Sequence, residues 1–233
     1  MKTVVLTSGG KDSILALHRI LDRKLAEKKE LILVGAIPKN PESFMFHTVN
    51  LHMLDVISNC LEIPLFKVEV SGEEEKEVLE LEEALLDLDV EAVCIGAIAS
   101  RYQLKRIDAI CKKHGFRLFA PLWGEEPEKI LNEVAERFEA IIVSVSAMGL
   151  DESFLGRKID HSCIQDLKRV SIRYGVNLAG EGGEYESIVL DAPLFRRRIS
   201  VKKLEKKWCG SAGIVIVREH TLEDKDISKK GKL

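Results

Sequence analysis

Six consecutive residues near the start of the chain, Ser8-Gly9-Gly10-Lys11-Asp12-Ser13, combine two hydroxyls, two glycines, an ammonium and a carboxylate. They follow the apolar run Val4-Val5-Leu6 and precede apolar residues at 14, 17, 20 and 21 that fit one helix face, so the local order is strand, glycine turn, helix. Adjacent glycines permit positive φ and close backbone approach, while the first N–H groups of the new helix lack intrahelical acceptors and point into the turn. An anion is the natural occupant, with Ser8, Ser13 and Lys11 as further donors. The spacing is not the Gly-x-x-x-x-Gly-Lys-Ser/Thr of the common triphosphatase loop. Aligned on Gly10-Lys11, Val5 falls where the first glycine belongs and Asp12 where the hydroxyl belongs.

A second glycine turn is acidic. Glu181, Glu184 and Glu186 crowd round Gly182-Gly183, and in an extended strand Glu184 and Glu186 share a face; a solvated acidic turn is the bland alternative. Between the two lies Gly96-Ala97-Ile98-Ala99-Ser100, where a glycine after a strand either admits a base or ribose against bare backbone or makes a tight strand-to-helix connection. Arg196-Arg197-Arg198 with Lys202, Lys203, Lys206 and Lys207 is a basic patch, read as a solvated face or as a dock for an acidic macromolecule. His47 and His52 lack carboxylate or cysteine partners at ligand spacing, so no zinc site is assigned. His161 and Cys163, two apart on a helix, face different sides and make no nucleophile pair.

The elements that must position these groups alternate. Strands are expected at residues 4–6, 31–37, 65–70 and 92–95, and helices follow at 14–21, 49–61, about 73–88 and 101–114. Four strand-helix repeats predict a parallel sheet with helices on both faces, and ligands of such sheets sit at the carboxyl ends of the strands. The turn at 8–13, the stretch 36–47 that opens with Ala36 and Ile37, and the stretch 96–103 all follow strand ends and converge on one pocket in this reading. The pattern changes near residues 119–124. Beyond it come a helix at 126–138, a strand at 139–145, a loop at 148–157, a helix at 159–174, and strands near 199–201 and 213–217. The expected division is a nucleotide-binding unit at 1–120, a smaller α/β unit at 121–217 and a charged tail at 218–233 that need not be ordered.

The 233 residues are enough for one larger domain or two small ones, with 45% hydrophobic and 31% charged residues. A net charge of −3 sets up no global field toward nucleic acid or membrane, which weighs against a transfer RNA substrate. Five cysteines, odd in number and without a Cys-x-x-Cys pair, read as reduced structural thiols in a cytoplasmic protein. No apolar run approaches a membrane span, and the start of the chain leaves no room for a signal peptide. Abundant Lys and Glu beside only two glutamines, 103 and 165, point to a thermophilic source.

The loop at 8–13 resembles the Ser-Gly-Gly-x-Asp-Ser loop of the N-type ATP pyrophosphatases, which hold the β and γ phosphates of ATP and release them together. The wider set is Ser8 to Ser13, Met45-Phe46-His47-Thr48, Gly96-Ala97-Ile98 with Tyr102-Gln103 and Arg106, Pro121-Leu122-Trp123, Leu155-Gly156-Arg157, and Gly182-Gly183-Glu184-Tyr185-Glu186 through Phe195. From residue 4 to about 195 that set is similar to the diphthine-ammonia ligases, with Asp108 where Glu is expected and Ser187 where Thr is common. The resemblance implies an adenine-nucleotide alpha hydrolase-like first domain and an ATP-dependent amidation of diphthine on translation elongation factor 2 with ammonium, releasing AMP and pyrophosphate. ATP and Mg2+ are the implied cofactors, held by residues 8–13, Ala36, Ile37, Gly96 and Ala97, with Asp12 toward the metal. Lys11, Asp12, Glu184 and Glu186 are the implied catalytic groups. Phe46, His47, Thr48, Ser100, Tyr102, Gln103, Arg106, Arg157 and residues 182–186 are assigned to substrate binding. A homodimer, a relative acting on transfer RNA and a nucleotide-binding module without chemistry stay open at this point.

Overall fold

The computed structural model describes residues 1–40 and 49–225. Its first sheet is parallel and contains β1 (Thr3–Leu6), β2 (Leu31–Pro38), β3 (Leu65–Val70), β4 (Ala92–Cys94) and β5 (Arg117–Phe119) in the order β3-β2-β1-β4-β5. Its helices are α1 (Lys11–Asp22), α2 (Leu54–Leu61), α3 (Lys76–Asp87) and α4 (Arg101–His114). Val4 pairs with Ile32 on one side and Val93 on the other, so β1 lies mid-sheet and reads as an unbroken apolar run. Side chains of α1 and α2 share one core with Val5 and Leu33, whereas those of α3 and α4 share a second with Val4 and Val34. Helices therefore cover both faces, as alternation predicts. The chain runs β1 to β3 toward one edge and then returns to β4 and β5 at the other, which puts the change of direction between β1 and β4.

The second sheet is antiparallel, β7-β6-β9-β8, formed by β6 (Glu139–Val145), β7 (Tyr185–Asp191), β8 (Arg197–Trp208) and β9 (Gly213–Asp224). Two further helices, α5 (Pro127–Arg137) and α6 (His161–Tyr174), bury Ile130, Leu131, Val134, Cys163, Ile164 and Leu167 against it. The core that holds α1 also contains Ile142, Val145, Ile188 and Val189 of this sheet. Buried polar links tie the two units. Arg19 of α1 bonds the Pro121 carbonyl at 3.2 Å and pairs with Glu125 and Glu133, and Arg137 bridges Glu133 to Asp22. His18 donates from Nδ1 to the Ile14 carbonyl at 2.7 Å and accepts the Leu194 N–H on Nε2 at 3.2 Å.

Three features depart from the sequence expectation. A fifth, three-residue strand joins the parallel sheet at 117–119. The expected helix at 49–61 begins only at Leu54, after a 3-10 turn at Leu51–Met53 and a left-handed Asn50 whose side chain binds the Val215 carbonyl and the Val217 N–H of β9. The last two strands form a long hairpin, and β9 runs to Asp224, so no tail begins at Arg218.

Candidate functional site

Gly10 stands at the N-cap of α1 in extended conformation, and Gly9 before it has φ +77°. The left-handed backbone is what demands glycine here, since the nearest atom a Cβ would meet is the tip of the Ile57 side chain. Thr7 Oγ1 accepts the Gly9 N–H at 2.9 Å and lies 2.8 Å from Ser13 Oγ, which donates to the Gly10 carbonyl at 3.1 Å. The turn is docked on the second sheet as well. The Val189 N–H donates to the Gly9 carbonyl at 3.0 Å, and the Lys11 N–H donates to Ser187 Oγ at 3.1 Å. A glycine turn built on the first sheet is thus completed by β7.

Lys11 is buried, 3% exposed, and its ammonium donates to Asp12 Oδ2 at 2.8 Å and to the Ala179 carbonyl at 2.6 Å, 5.1 Å from the Tyr185 ring centre. A buried ammonium so placed both sets positive charge at the turn and ties α1 to the second unit. Asp12 Oδ1 is buried and has no hydrogen-bond donor. An acceptor-only oxygen in that position fits a hard divalent cation such as Mg2+, which prefers carboxylate oxygen and water. Tyr185 is fully enclosed, and burial pushes its phenol well above the ordinary value, so it stays protonated and donates to the Leu178 carbonyl at 2.9 Å.

The cleft between the two sheets holds about 1030 Å³ of empty space, its open mouth included. Leu6, Val34, Ala36, Leu81, Ile95 and Ile107 give the cleft an apolar lining, Ser8 and residues 10–13 line it from the glycine turn, and Gly180, Glu181, Gly183, Glu186 and Ser187 close it from the second unit. Gly96 and Gln103 line it from the loop and helix after β4. A Cβ on Gly96 would lie 2.7 Å from both the Asp12 carbonyl carbon and the Ser13 nitrogen, so this glycine lets one loop pack backbone to backbone on the start of α1. Gly96 thus makes the tight connection and also lines the cleft.

The three acidic side chains of the second turn divide their work. Glu181 accepts the N–H groups of Ile98, Ala99 and Ser100, the last of which is the N-cap of α4. Glu184 accepts the N–H groups of Asn177 at 3.0 Å and Gly182 at 2.7 Å, which closes its own turn. β7 begins only at Tyr185, so Glu184 belongs to the turn and does not share a strand face with Glu186. The half-buried Glu186 lines the cleft with Asp12 and Lys11. Of the two residues of this motif expected to be catalytic, only Glu186 lines the cleft with the glycine turn.

Other expected residues lie apart. Arg106 stacks 3.4 Å from the Tyr102 ring centre and pairs with Glu75, while the Tyr102 hydroxyl donates to Glu74 at 3.2 Å, a cluster at the start of α3 rather than on the cleft lining. Arg157 pairs with Asp166 at 2.7 Å on α6. Ile37 and Ala97 do not line the cleft, although their neighbours Ala36 and Gly96 do. Phe46, His47 and Thr48 lie outside the described residues. In the basic patch Lys202, Lys203 and Lys207 pair with Glu223, Glu219 and Glu205 on the hairpin itself, and Arg198 pairs with Glu139. Cys60, Cys94, Cys111 and Cys163 are buried free thiols; burial pushes Cys111 and Cys163 up to about 11, which leaves them unreactive. Among the described residues no group of three or more His, Cys, Asp or Glu side chains is arranged to hold a metal, and no helix is long and apolar enough to cross a membrane. Glu181 was legible as one of the three carboxylates of the acidic turn and Ser187 as its neighbour, but not their partners. Nothing in their spacing announces a bond across to residue 11 or to residues 98–100.

Residues 1–118 match the family model described as the diphthamide synthase N-terminal domain, and residues 126–222 match that of the diphthamide synthase C-terminal domain. Proteins named diphthine-ammonia ligase from Bos taurus, Rattus norvegicus and Homo sapiens are 34%, 33% and 32% identical to this chain. Each of those alignments covers 88% of this chain and 84% of the relative.

Proposed function

Because the chain belongs to the diphthine-ammonia ligase family, we propose that it uses ATP to convert the diphthine carboxylate of translation elongation factor 2 to an amide with ammonium, by way of an acyl-adenylate, releasing AMP and pyrophosphate. The observation that carries this reading is the meeting of the phosphate turn and the acidic turn in one cleft, joined by the Val189 to Gly9 and Lys11 to Ser187 hydrogen bonds. A carboxylate is a poor electrophile, and adenylation turns one of its oxygens into part of a good leaving group.

The chain's own residues supply placement and charge. The N-terminal end of α1, beyond the Lys11 N–H that Ser187 already holds, and the Ser8 hydroxyl would face phosphate oxygens, and Lys11 sets a positive charge behind them. The apolar end of the cleft, with Val34, Ala36, Leu81 and Ile107, suits a base. Three carboxylates in the same cleft, Asp12, Glu181 and Glu186, repel a polyphosphate unless a cation intervenes, and Asp12 Oδ1 is the oxygen that would hold it. Mg2+ there would offset phosphate charge. Glu186 would hold ammonium and take up the proton that the attacking amine must lose. In this reading residues 1–120 bind nucleotide, residues 121–217 present the amine and the protein substrate, and the protein works in the cytoplasm beside the elongation factor.

The test is incubation of the protein with ATP, ammonium and diphthine-bearing elongation factor. The expected result is a loss of one mass unit on the factor, with AMP and pyrophosphate formed in equal amounts. ADP and phosphate as main products would overturn the reading.

A further inference from the structure

Glu181 belongs to the acidic turn of the second unit, yet all three hydrogen bonds of its carboxylate reach across the cleft to the N–H groups of Ile98, Ala99 and Ser100. The turn does not need this side chain for its own closure. The Gly183 N–H donates to the Gly180 carbonyl at 3.1 Å, Glu184 binds the N–H groups of Asn177 and Gly182, and Ser146 Oγ donates to the Gly183 carbonyl at 2.7 Å. Backbone conformation throws Glu181 outward: Gly180 and Gly183 have φ of +77° and +80°, and a Cβ on Gly180 would lie 2.8 Å from the Tyr185 carbonyl oxygen. At the far end the bonds are charge-assisted and fall at the start of the 14-residue α4, where partial positive charge accumulates.

We propose that Glu181 is a positioning residue: it latches the acidic turn, which leads directly into the start of β7 where Glu186 stands, to the loop at residues 96–100, and so sets the width of the cleft between the nucleotide end and the amine end. The catalytic consequence rests on the ligase reading; the latch itself does not. A carboxylate activated on one wall must lie within reach of an amine held on the other, and a shift of 1 Å in such a pair costs about 100-fold in rate. Glu181→Asp keeps the charge but shortens the reach by one methylene. Glu181→Gln keeps the reach but turns an amide NH2 toward N–H donors.

The experiment compares the full chain with both variants by amide hydrogen exchange, by calorimetric ATP binding and by amidation kinetics per folded molecule. In both variants exchange is expected to accelerate by about tenfold or more in residues 96–103 and in residues 178–186 together, since opening the latch frees both walls. The kcat should fall by about 100-fold while the KM for ATP stays within about threefold, because the phosphate turn is untouched. Acceleration confined to residues 96–103 would reject the latch, and both loops loosening with kcat unchanged would reject its catalytic consequence and make Glu181 structural only. If the wild type makes no amide, the ligase reading fails while the exchange comparison still decides the latch: both loops accelerating supports it, one alone rejects it.

Discussion

At the scale of single residues, Ser8 and Lys11 sit in the same turn but carry different loads. Ser8 faces the cleft, and removing its hydroxyl withdraws one donor from charge that builds on departing pyrophosphate, a loss of about 2.7 to 4 kcal/mol of barrier stabilisation. Ser8→Ala should therefore lower kcat by about two to three orders of magnitude. Lys11→Ala should lower kcat and the melting temperature together, since it strips Asp12 Oδ2 and the Ala179 carbonyl of their donor. An unchanged melting curve for Lys11→Ala would contradict its structural share. Glu186→Gln, which keeps shape and removes charge, should retain substrate-dependent exchange of pyrophosphate into ATP and lose most amide formation, with partial rescue by high ammonium. Loss of both in parallel would remove Glu186 from the amine step. The six-residue turn was legible because its types are unusual in that order and its place after a short apolar run is local. The division among Glu181, Glu184 and Glu186 was not, because whether a carboxylate faces its own turn, the opposite loop or the cleft depends on where β7 begins and on residues some eighty positions away.

At the scale of elements, α1 is the part most exposed to a change of pH. His18 is enclosed between Ile14, Leu194 and Phe138, whose ring lies 4.8 Å away, and burial lowers its pKa from the usual 6.5 to about 4, with Arg137 and Lys225 adding to the effect. The unfolded chain therefore binds a proton between those values that the folded chain refuses. Stability from this group is complete above the unfolded pKa, falls as pH drops toward 4, and amounts to on the order of 3 kcal/mol. Urea midpoints should decline from pH 7 to pH 4.5, and His18→Gln, which does not titrate there, should flatten that part of the decline; an identical slope in the variant would dismiss His18 as the cause. Most strands and helices of the first sheet were legible because buried parallel strands are unbroken apolar runs between glycine turns and amphipathic helices. The hairpin of β8 and β9 was legible only in part. Lys202, Lys203 and Lys207 lie opposite or beside Glu223, Glu219 and Glu205, so its outer half is held by backbone pairing and exposed ion pairs rather than by an apolar face, and composition alone reads such a stretch as a tail.

At the scale of the whole molecule, the parallel sheet places its change of direction between β1 and β4, and the antiparallel sheet brings β7 over it. The shared core of α1, β6 and β7 and the Arg19 pairs hold the two units together, and on that frame the loop at residues 96–100 and the turn at residues 180–184 face each other, each wall carrying half of the proposed chemistry. Sequence patterns anticipated two units and one pocket at the strand ends. They did not anticipate that the second unit would complete the phosphate turn, since the bonds from Val189 and Ser187 bridge nearly the full length of the chain. The acyl-adenylate is the central claim, and an isotope follows it directly. With the diphthine carboxylate labelled by oxygen-18, adenylation and ammonolysis must leave one of its two oxygens on AMP. The account predicts AMP carrying one labelled oxygen for each amide formed, with none in pyrophosphate; label appearing in inorganic phosphate, or AMP without label beside full amide formation, would contradict it.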